Sequence, residues 1–363
     1  MENCAITVIL GGSKFMGRLL AHRFQTNGIP FCTANRGHHY WGFDPPERGV
    51  HIFLDWNNPY SITEAVNDLF RAAEHFARIN IVDFSCCEPQ PMRAFCSALC
   101  AHEQRRKLSA YVLISSDSVY SGIGQHEVSE SSETWHVDDP ERDSGVYGVD
   151  KLKTELLLGS ALPQVRQVIL RLPDVIGPFD STGRFWATLL WAQSGCPLHF
   201  PAGECEKRIS VVFACDVVDA IIACLNRTDD SQLVLNIACA EKPTLYEFVH
   251  AVVGRVSPGA SLVTVSEDDV ETCDYYPSVS CGPLAISAAT ETVGWRPTPL
   301  EEVVLRTVSF FRQAQLIGLR EFWAAAKKLP PHVRERMKGA LGISGTICEP
   351  SGSSSDTASS VSE

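Results

Sequence analysis

Tyr147 and Lys151 stand four residues apart in the run YGVDKLKTELL, so they share one face of any helix that carries them both. A phenol, with a reference pKa of about 10, keeps its proton at neutral pH. A fixed ammonium one helical turn away stabilises the phenolate, which makes the pair able to take or give a proton as a general acid or base. Ser115 and Ser116 close the apolar run YVLISS. A hydroxyl there can hold the oxygen that gains or loses that proton. Asp117 follows either as an additional acid or as a strand-end cap.

A second group of residues suits a different task. Gly11, Gly12, Ser13, Lys14, Phe15, Met16 and Gly17 join the apolar run AITVIL to a helical pattern. Such a turn brings backbone N–H groups against a pyrophosphate, and the helix N-terminus adds partial positive charge. A dinucleotide is therefore expected on this turn, with Lys151 free to hydrogen-bond a nicotinamide ribose. Two positions depart from the usual fingerprint. Lys14 replaces a third glycine, and Asn35 with Arg36 ends the second strand where an acidic residue ordinarily holds the ribose hydroxyls of NAD. Both changes lean towards NADP over NAD, although as surface charges Lys14 and Arg36 would need no such role. Asp55, at the end of the third strand, is placed either to meet the adenine amino group or to stand as a carboxylate of a surface loop.

The elements that must position these residues alternate along the chain. Apolar runs at 5–10, 31–34, 51–54, 79–85, 111–116 and 167–172 are separated by amphipathic stretches. Strands buried on both faces read as continuous apolar runs, and strand–helix alternation implies a parallel sheet. The expected class is α/β, a Rossmann-type doubly wound parallel sheet with a smaller C-terminal substrate-binding lobe. The expected division is a dinucleotide-binding domain over 1–175, with a late strand near 233–238 returning to it. A mainly substrate-binding lobe follows over 176–316, with helices at 184–194, 214–225, 244–255 and 300–316. A helical extension is expected over 317–340, its helix running from 319 to 338, and a serine-rich disordered tail over 341–363.

Composition narrows the partners. The net charge of −12 repels phosphate backbones, which argues against nucleic acid. No apolar run approaches the roughly 20 residues of a membrane helix, and no basic leader precedes the first strand, so a cytoplasmic chain with a small-molecule substrate is expected. The 14 cysteines lack paired CxxC spacing and read as reduced thiols, and no metal set is expected.

The segments LGGSKFMG, YVLISSDSVY, YGVDK, Arg171-Leu172-Pro173 followed by Val175-Ile176-Gly177-Pro178, ACDVVDAI and Gly294-Trp295 together resemble an extended short-chain dehydrogenase of the NAD-dependent epimerase/dehydratase family over residues 4–316. The glycine turn is similar to an atypical branch that includes chloroplast stem-loop-binding proteins. The resemblance implies that Ser116 is the catalytic serine, that Pro173 lies in the loop packing on the nicotinamide, and that Ser85 and Cys86 end the fourth strand beside the cofactor. It brings Lys207 or Arg208 near a substrate-phosphate position, with spacing to Asp216 off by one residue. Dehydratases that resemble the chain carry Thr-Asp-Glu where Ser116-Asp117-Ser118 stands, so a 4,6-dehydratase is disfavoured. The implied activity is an NAD(P)-dependent oxidoreductase or epimerase acting on a hydroxyl or ketone of a sugar or sugar-nucleotide. The alternative is a nucleotide-sensing or RNA-binding protein that kept the fold and lost the reaction. A homodimer through the helices around 90–106 and 146–160 is common among chains of this resemblance.

Overall fold

The computed structural model describes residues 4–38, 49–121, 126–137, 146–229, 232–266, 276–316 and 325–340. The first half runs β1 (Ala5–Leu10), α1 (Phe15–Thr26), β2 (Phe31–Asn35), β3 (Val50–Phe53), α2 (Pro59–Ala72), β4 (Arg78–Asp83), α3 (Pro89–Ala101), β5 (Leu108–Ser116), α4 (Tyr147–Ala161) and β6 (Arg166–Leu172). The second half continues with β7 (Asp174–Ile176), α5 (Arg184–Ser194), β8 (Leu198–Pro201), β9 (Val211–Phe213), α6 (Ala214–Leu225) and β10 (Leu233–Asn236). It ends with α7 (Leu245–Val256), β11 (Leu262–Val265), α8 (Ser287–Val293), α9 (Leu300–Leu316) and α10 (Pro331–Ala340).

Seven strands form one sheet in the order β3-β2-β1-β4-β5-β6-β10, every neighbour parallel. The chain builds outward from β1 to β3, then returns to β4 on the other side. That reversal opens a crevice at the carboxyl ends of β1 and β4, where ligands of such sheets bind.

Side chains alternate across each strand. Ile6, Val8 and Leu10 of β1 pack with Val66, Phe95 and Leu158 of α2, α3 and α4. Ile9 points the other way, into a layer with Leu20 of α1 and Val217 and Ile221 of α6. With helices on both faces, neither face of the strand can be polar, which explains the unbroken apolar runs. Arg23 of α1 pairs with Asp219 of α6 at 2.8 Å and ties the outer ends of that layer together.

A further core gathers Trp186 and Trp191 of α5 with Phe200, Phe213, Phe248 and Phe311. Gly183 and Gly195, both left-handed, bound α5, and a reciprocal Thr244–Glu247 capping box starts α7. The extension differs from the long helix its sequence suggests. Residues 317–324 lie outside the described ones, and α10 begins only at Pro331. Pro330 and Pro331 lack N–H donors and turn the preceding residue out of helical geometry, so proline ends one turn and opens the next helix. The serine-rich stretch 341–363 lies outside the described residues. Among the described residues no helix is long and apolar enough to cross a membrane.

Candidate active site

Gly11 turns the chain after β1 with φ +90°, and a Cβ on it would stand 3.1 Å from that of Ser85. A Cβ on Gly17 would meet the Gly11 carbonyl oxygen at 2.5 Å, so the first turn of α1 packs backbone to backbone on the strand end. Gly12 has another reason to be glycine. Its absent Cβ would lie 2.7 Å from Thr33 Cγ2, so it admits β2 and does not line the cleft. Phe15 opens α1 at φ +37°, a conformation that costs a side chain of order 1 kcal/mol or more.

This turn forms one wall of a cleft of about 390 Å³, to which Ser13, Lys14, Phe15 and Met16 contribute. Asn35, Arg36, Asp55 and Ser85 line the cleft as well. Asn35 Oδ1 accepts from Gly37 N at 2.8 Å and lies 3.2 Å from the ring nitrogen of His51, so it shapes the turn after β2. Asp55 accepts from Asn57 N at 3.1 Å, while its own N–H donates to Ser61 Oγ. Its carboxylate thus caps a turn at the cleft edge.

Several residues of this region were not singled out from the sequence. Trp56, Asn57 and Ser181 line the cleft as well. Asp83 ends β4, wholly buried, and accepts from Ser85 N at 2.9 Å, Cys86 N at 3.0 Å and Tyr111 Oη at 2.8 Å. A carboxylate inside the apolar run INIVDFS is a readable signal, because burial demands such partners. Trp56 Nε1 donates to Ser85 Oγ at 2.9 Å and completes the turn. The cleft fits a dinucleotide: it is the size of a small-ligand site, lined by Gly11 and Gly17 and opened at a helix N-terminus.

Beside it, at the carboxyl end of β5, lies the second group. Lys151 is 3% exposed, and its Nζ donates to the carbonyls of Cys86 at 3.0 Å and Ile114 at 2.9 Å. It stands 6.0 Å from the ring centroid of Tyr147. Ser116 Oγ accepts from Ser118 N at 3.2 Å and has Ser118 Oγ at 3.1 Å and Asp117 Oδ1 at 3.3 Å as acceptors within reach of its hydroxyl. Gly148 makes the approach of α4 possible, since a Cβ there would lie 2.0 Å from the Ser118 carbonyl oxygen.

Glu155, one turn beyond Lys151, braces this arrangement from below. It accepts from Ser115 Oγ at 2.5 Å and from Arg171 Nε and Nη2 at 3.2 and 2.7 Å. Arg171 in turn covers the ring of Tyr120 at 4.9 Å, and Tyr120 Oη donates to Asn236 Oδ1 at 2.7 Å. One helix face thereby carries Tyr147, Lys151 and Glu155, and the last of these joins α4 to β5 and β6.

The electrostatics differ from the simple expectation for Tyr147. Desolvation by the surrounding protein raises the pKa of its phenol, Lys151 pulls it down, Cys87 and Asp117 push it up, and the Ser116 hydroxyl lowers it. The net direction is upward. Tyr147 is nevertheless 44% exposed, so the phenol is reachable from solvent. Burial works against the charge of Lys151, but Cys87, Tyr147, Asp83 and Cys86 beside it outweigh burial and raise its pKa. It therefore stays a cation at neutral pH. Asp117 is pushed up to about 7 by burial and then by the Asp174 carboxylate, against hydrogen bonds from Ser116 and Ser118.

Three other expected site residues sit apart from the cleft lining. Cys86 contributes its backbone, because its own thiol is buried and burial raises its pKa far up. Pro173 is buried between β6 and β7, one residue past the Ser116–Leu172 register pair. Arg208 is exposed and donates to the carbonyl of Lys242 at 2.6 Å.

The fold is that of a Rossmann-type nucleotide-binding protein. The profile of the NAD dependent epimerase/dehydratase family matches residues 7–238, and the chain belongs to that family. No curated protein matches it. Among solved structures it is similar to UDP-glucose 4-epimerase with UDP-glucose from Thermotoga maritima, at 17% identity and a TM-score of 0.64, covering 85% of this chain and 99% of that one. UDP-glucuronic acid 4-epimerase from Bacillus cereus, in complex with UDP-glucuronic acid and NAD, is similar at 17% identity and 0.63, covering 85% and 99%. TunA, an NAD-dependent NDP-hexosamine 5,6-dehydratase of tunicamycin biosynthesis, is similar at 17% and 0.63, covering 85% and 98%. At these identities the likeness is one of fold.

Proposed function

We propose that the chain is an NAD(P)-dependent oxidoreductase or epimerase acting on a hydroxyl or ketone of a sugar or sugar-nucleotide. The observation that carries this reading is the buried Lys151 ammonium, held by two backbone carbonyls and 6.0 Å from the ring centroid of Tyr147, at the end of the strand that closes on Ser116. The glycine turn, Asn35, Arg36, Asp55 and Ser85 would hold the dinucleotide, which accepts or returns a hydride when bound. Ser116 would hold the substrate oxygen. Tyr147 Oη takes the hydroxyl proton during oxidation and gives it back during reduction. Its raised pKa makes a permanent phenolate costly, and the fixed charge of Lys151 offsets part of that cost.

Similarity to sugar-nucleotide epimerases supports the substrate class, and Lys14 and Arg36 on the cleft wall support a preference for NADP. Ser118 has no carboxylate with which to remove a carbon-bound proton, which disfavours 4,6-dehydration. The test is turnover of a panel of nucleotide sugars, followed by mass spectrometry with NAD and NADP. Tyr147→Phe should lower turnover by about 10²-fold or more while dinucleotide affinity stays unchanged. Full turnover in that variant would remove Tyr147 from the chemistry.

A further inference from the structure

Residues 177–183 carry the chain from β7 into α5 along the dinucleotide cleft, where Ser181 forms part of the wall. Three positions in this short segment hold positive φ: Gly177 at +148°, Phe179 at +63° and Gly183 at +73°. Phe179 has a side chain, so its left-handed backbone is disfavoured and must be held by its surroundings. On the inner side the Arg18 guanidinium of α1 lies 4.7 Å from the Phe179 ring centroid, and Phe310 of α9 meets the same ring edge-on at 4.8 Å.

The outer side is held by residues 325–340, which lie beyond the stretch that matches the family profile. Ala325, Ala326, Leu329, Val333 and Met337 are buried in the second core and seat the extension on α5. Two basic side chains then reach backbone oxygens at the two ends of α5. Lys328 Nζ donates to Thr182 O at 2.5 Å, and Arg336 Nε donates to Ser194 O at 3.1 Å. The stem of Lys328 also lies over Gly183, where a Cβ would stand 3.4 Å from Lys328 Cε. Lys328 is exposed, so it adds little to the core itself. What it does add is a charged hydrogen bond to the residue next to Ser181.

We propose that residues 325–340 brace the cofactor cleft, with Lys328 as a positioning residue that fixes residues 181–183 and so holds Ser181 at the cleft wall. The inference rests on the assignment of the cleft to a dinucleotide. Without Lys328 the segment has a lower barrier to leaving its left-handed turns, and the cleft has to be reassembled each time the ligand binds. Part of the binding free energy is spent on that ordering.

The experiment titrates NAD and, separately, NADP into the full chain by quenching of protein fluorescence, for the wild type, Lys328→Met and Lys328→Arg, and records the ligand-free melting midpoint of each. Lys328→Met should weaken binding of the tighter of the two dinucleotides about five-fold, and Lys328→Arg should restore it to within about two-fold. The melting midpoint should not move for either variant. Wild-type affinity in Lys328→Met overturns the brace. So does a loss of affinity that comes with a matching fall in melting midpoint, because the residue would then be merely structural. If the wild type itself binds neither NAD nor NADP, the cofactor assignment fails, a result distinct from unequal binding among variants.

Discussion

The Cα of Gly148 and the carbonyl of Ser118 are so close that a side chain between them would overlap: a Cβ would come to 2.0 Å of that oxygen. Trp135 Nε1 donates to the same carbonyl at 2.7 Å and would itself stand 3.2 Å from that Cβ. The first turn of α4 is therefore seated on the loop that follows Ser116. Tyr147 precedes Gly148 and Lys151 follows it by less than a turn, so this one contact sets the distance between the phenol, the ammonium and the serine hydroxyl.

Gly148→Ala tests that relationship. The obstacle is backbone, which no rotamer relieves, so α4 must shift by enough to clear it. Overpacking of this kind costs about 1–3 kcal/mol, and the shift separates Tyr147 from Ser116. Turnover should fall by about 10²-fold together with a lower melting midpoint, since misplacement of this size is expensive in catalysis. Wild-type turnover in the alanine variant would mean that the contact does not position the site.

Glu155 and Arg171 make the second prediction, because both are buried and form an ion pair at 2.7 Å. Glu155→Gln leaves the Arg171 charge buried without its counter-ion and should cost about 3–5 kcal/mol in denaturant unfolding. Replacing both, Glu155→Leu with Arg171→Met, should recover much of the loss, since the penalty comes from the unpaired charge. A double variant as unstable as the single one would locate the cost in packing or in the lost Ser115 contact.

How far this arrangement can be read from residues alone depends on the range of the interaction. The sheet was legible because its central strands β1, β4, β5 and β6 are largely buried on both faces and their pattern is local, whereas the edge strand β3 leaves Val50 and Phe53 exposed. The Tyr147–Lys151 pair was legible because helical spacing is local too. Glu155 was missed, although it continues the same face, since its partners Ser115 and Arg171 come from two other strands and only the folded sheet brings them together. Gly148 was missed because its reason is the Ser118 carbonyl, 30 positions away in sequence. Trp56 and Ser181 likewise enter the cleft from loops whose path no periodicity encodes.

Cofactor preference is tested at Arg36, which lines the cleft next to Asn35. A guanidinium there can pair with a 2′-phosphate through charge-assisted hydrogen bonds, whereas NAD offers only a hydroxyl. Arg36→Ala should raise the dissociation constant for NADP by about ten-fold and change that for NAD by less than about two-fold. Equal losses for both dinucleotides would remove the preference for NADP.

Asp117 gives a prediction with a definite sign in pH. Its carboxyl is pushed up to about 7 in the folded protein, by burial first and by Asp174 second, from an ordinary value of 3.8. Between those two values the native state binds more protons than the unfolded chain, so stability falls as pH rises. Below about pH 4 the carboxyl is protonated in both states and imposes no penalty. Above about pH 7 it is ionised in both, and the folded state bears the full cost of the buried charge. An asparagine side chain in place of the acid mimics the protonated form at every pH. Asp117→Asn should therefore stabilise the protein at pH 8 by about 2 kcal/mol, a figure reduced for partial solvent access, and leave it nearly unchanged at pH 4. Denaturant unfolding at pH 4, 6 and 8 measures the difference directly. A gain that is the same at all three values, or largest at pH 4, would show that the carboxyl ionises normally beside Ser116 and that no proton is stored there.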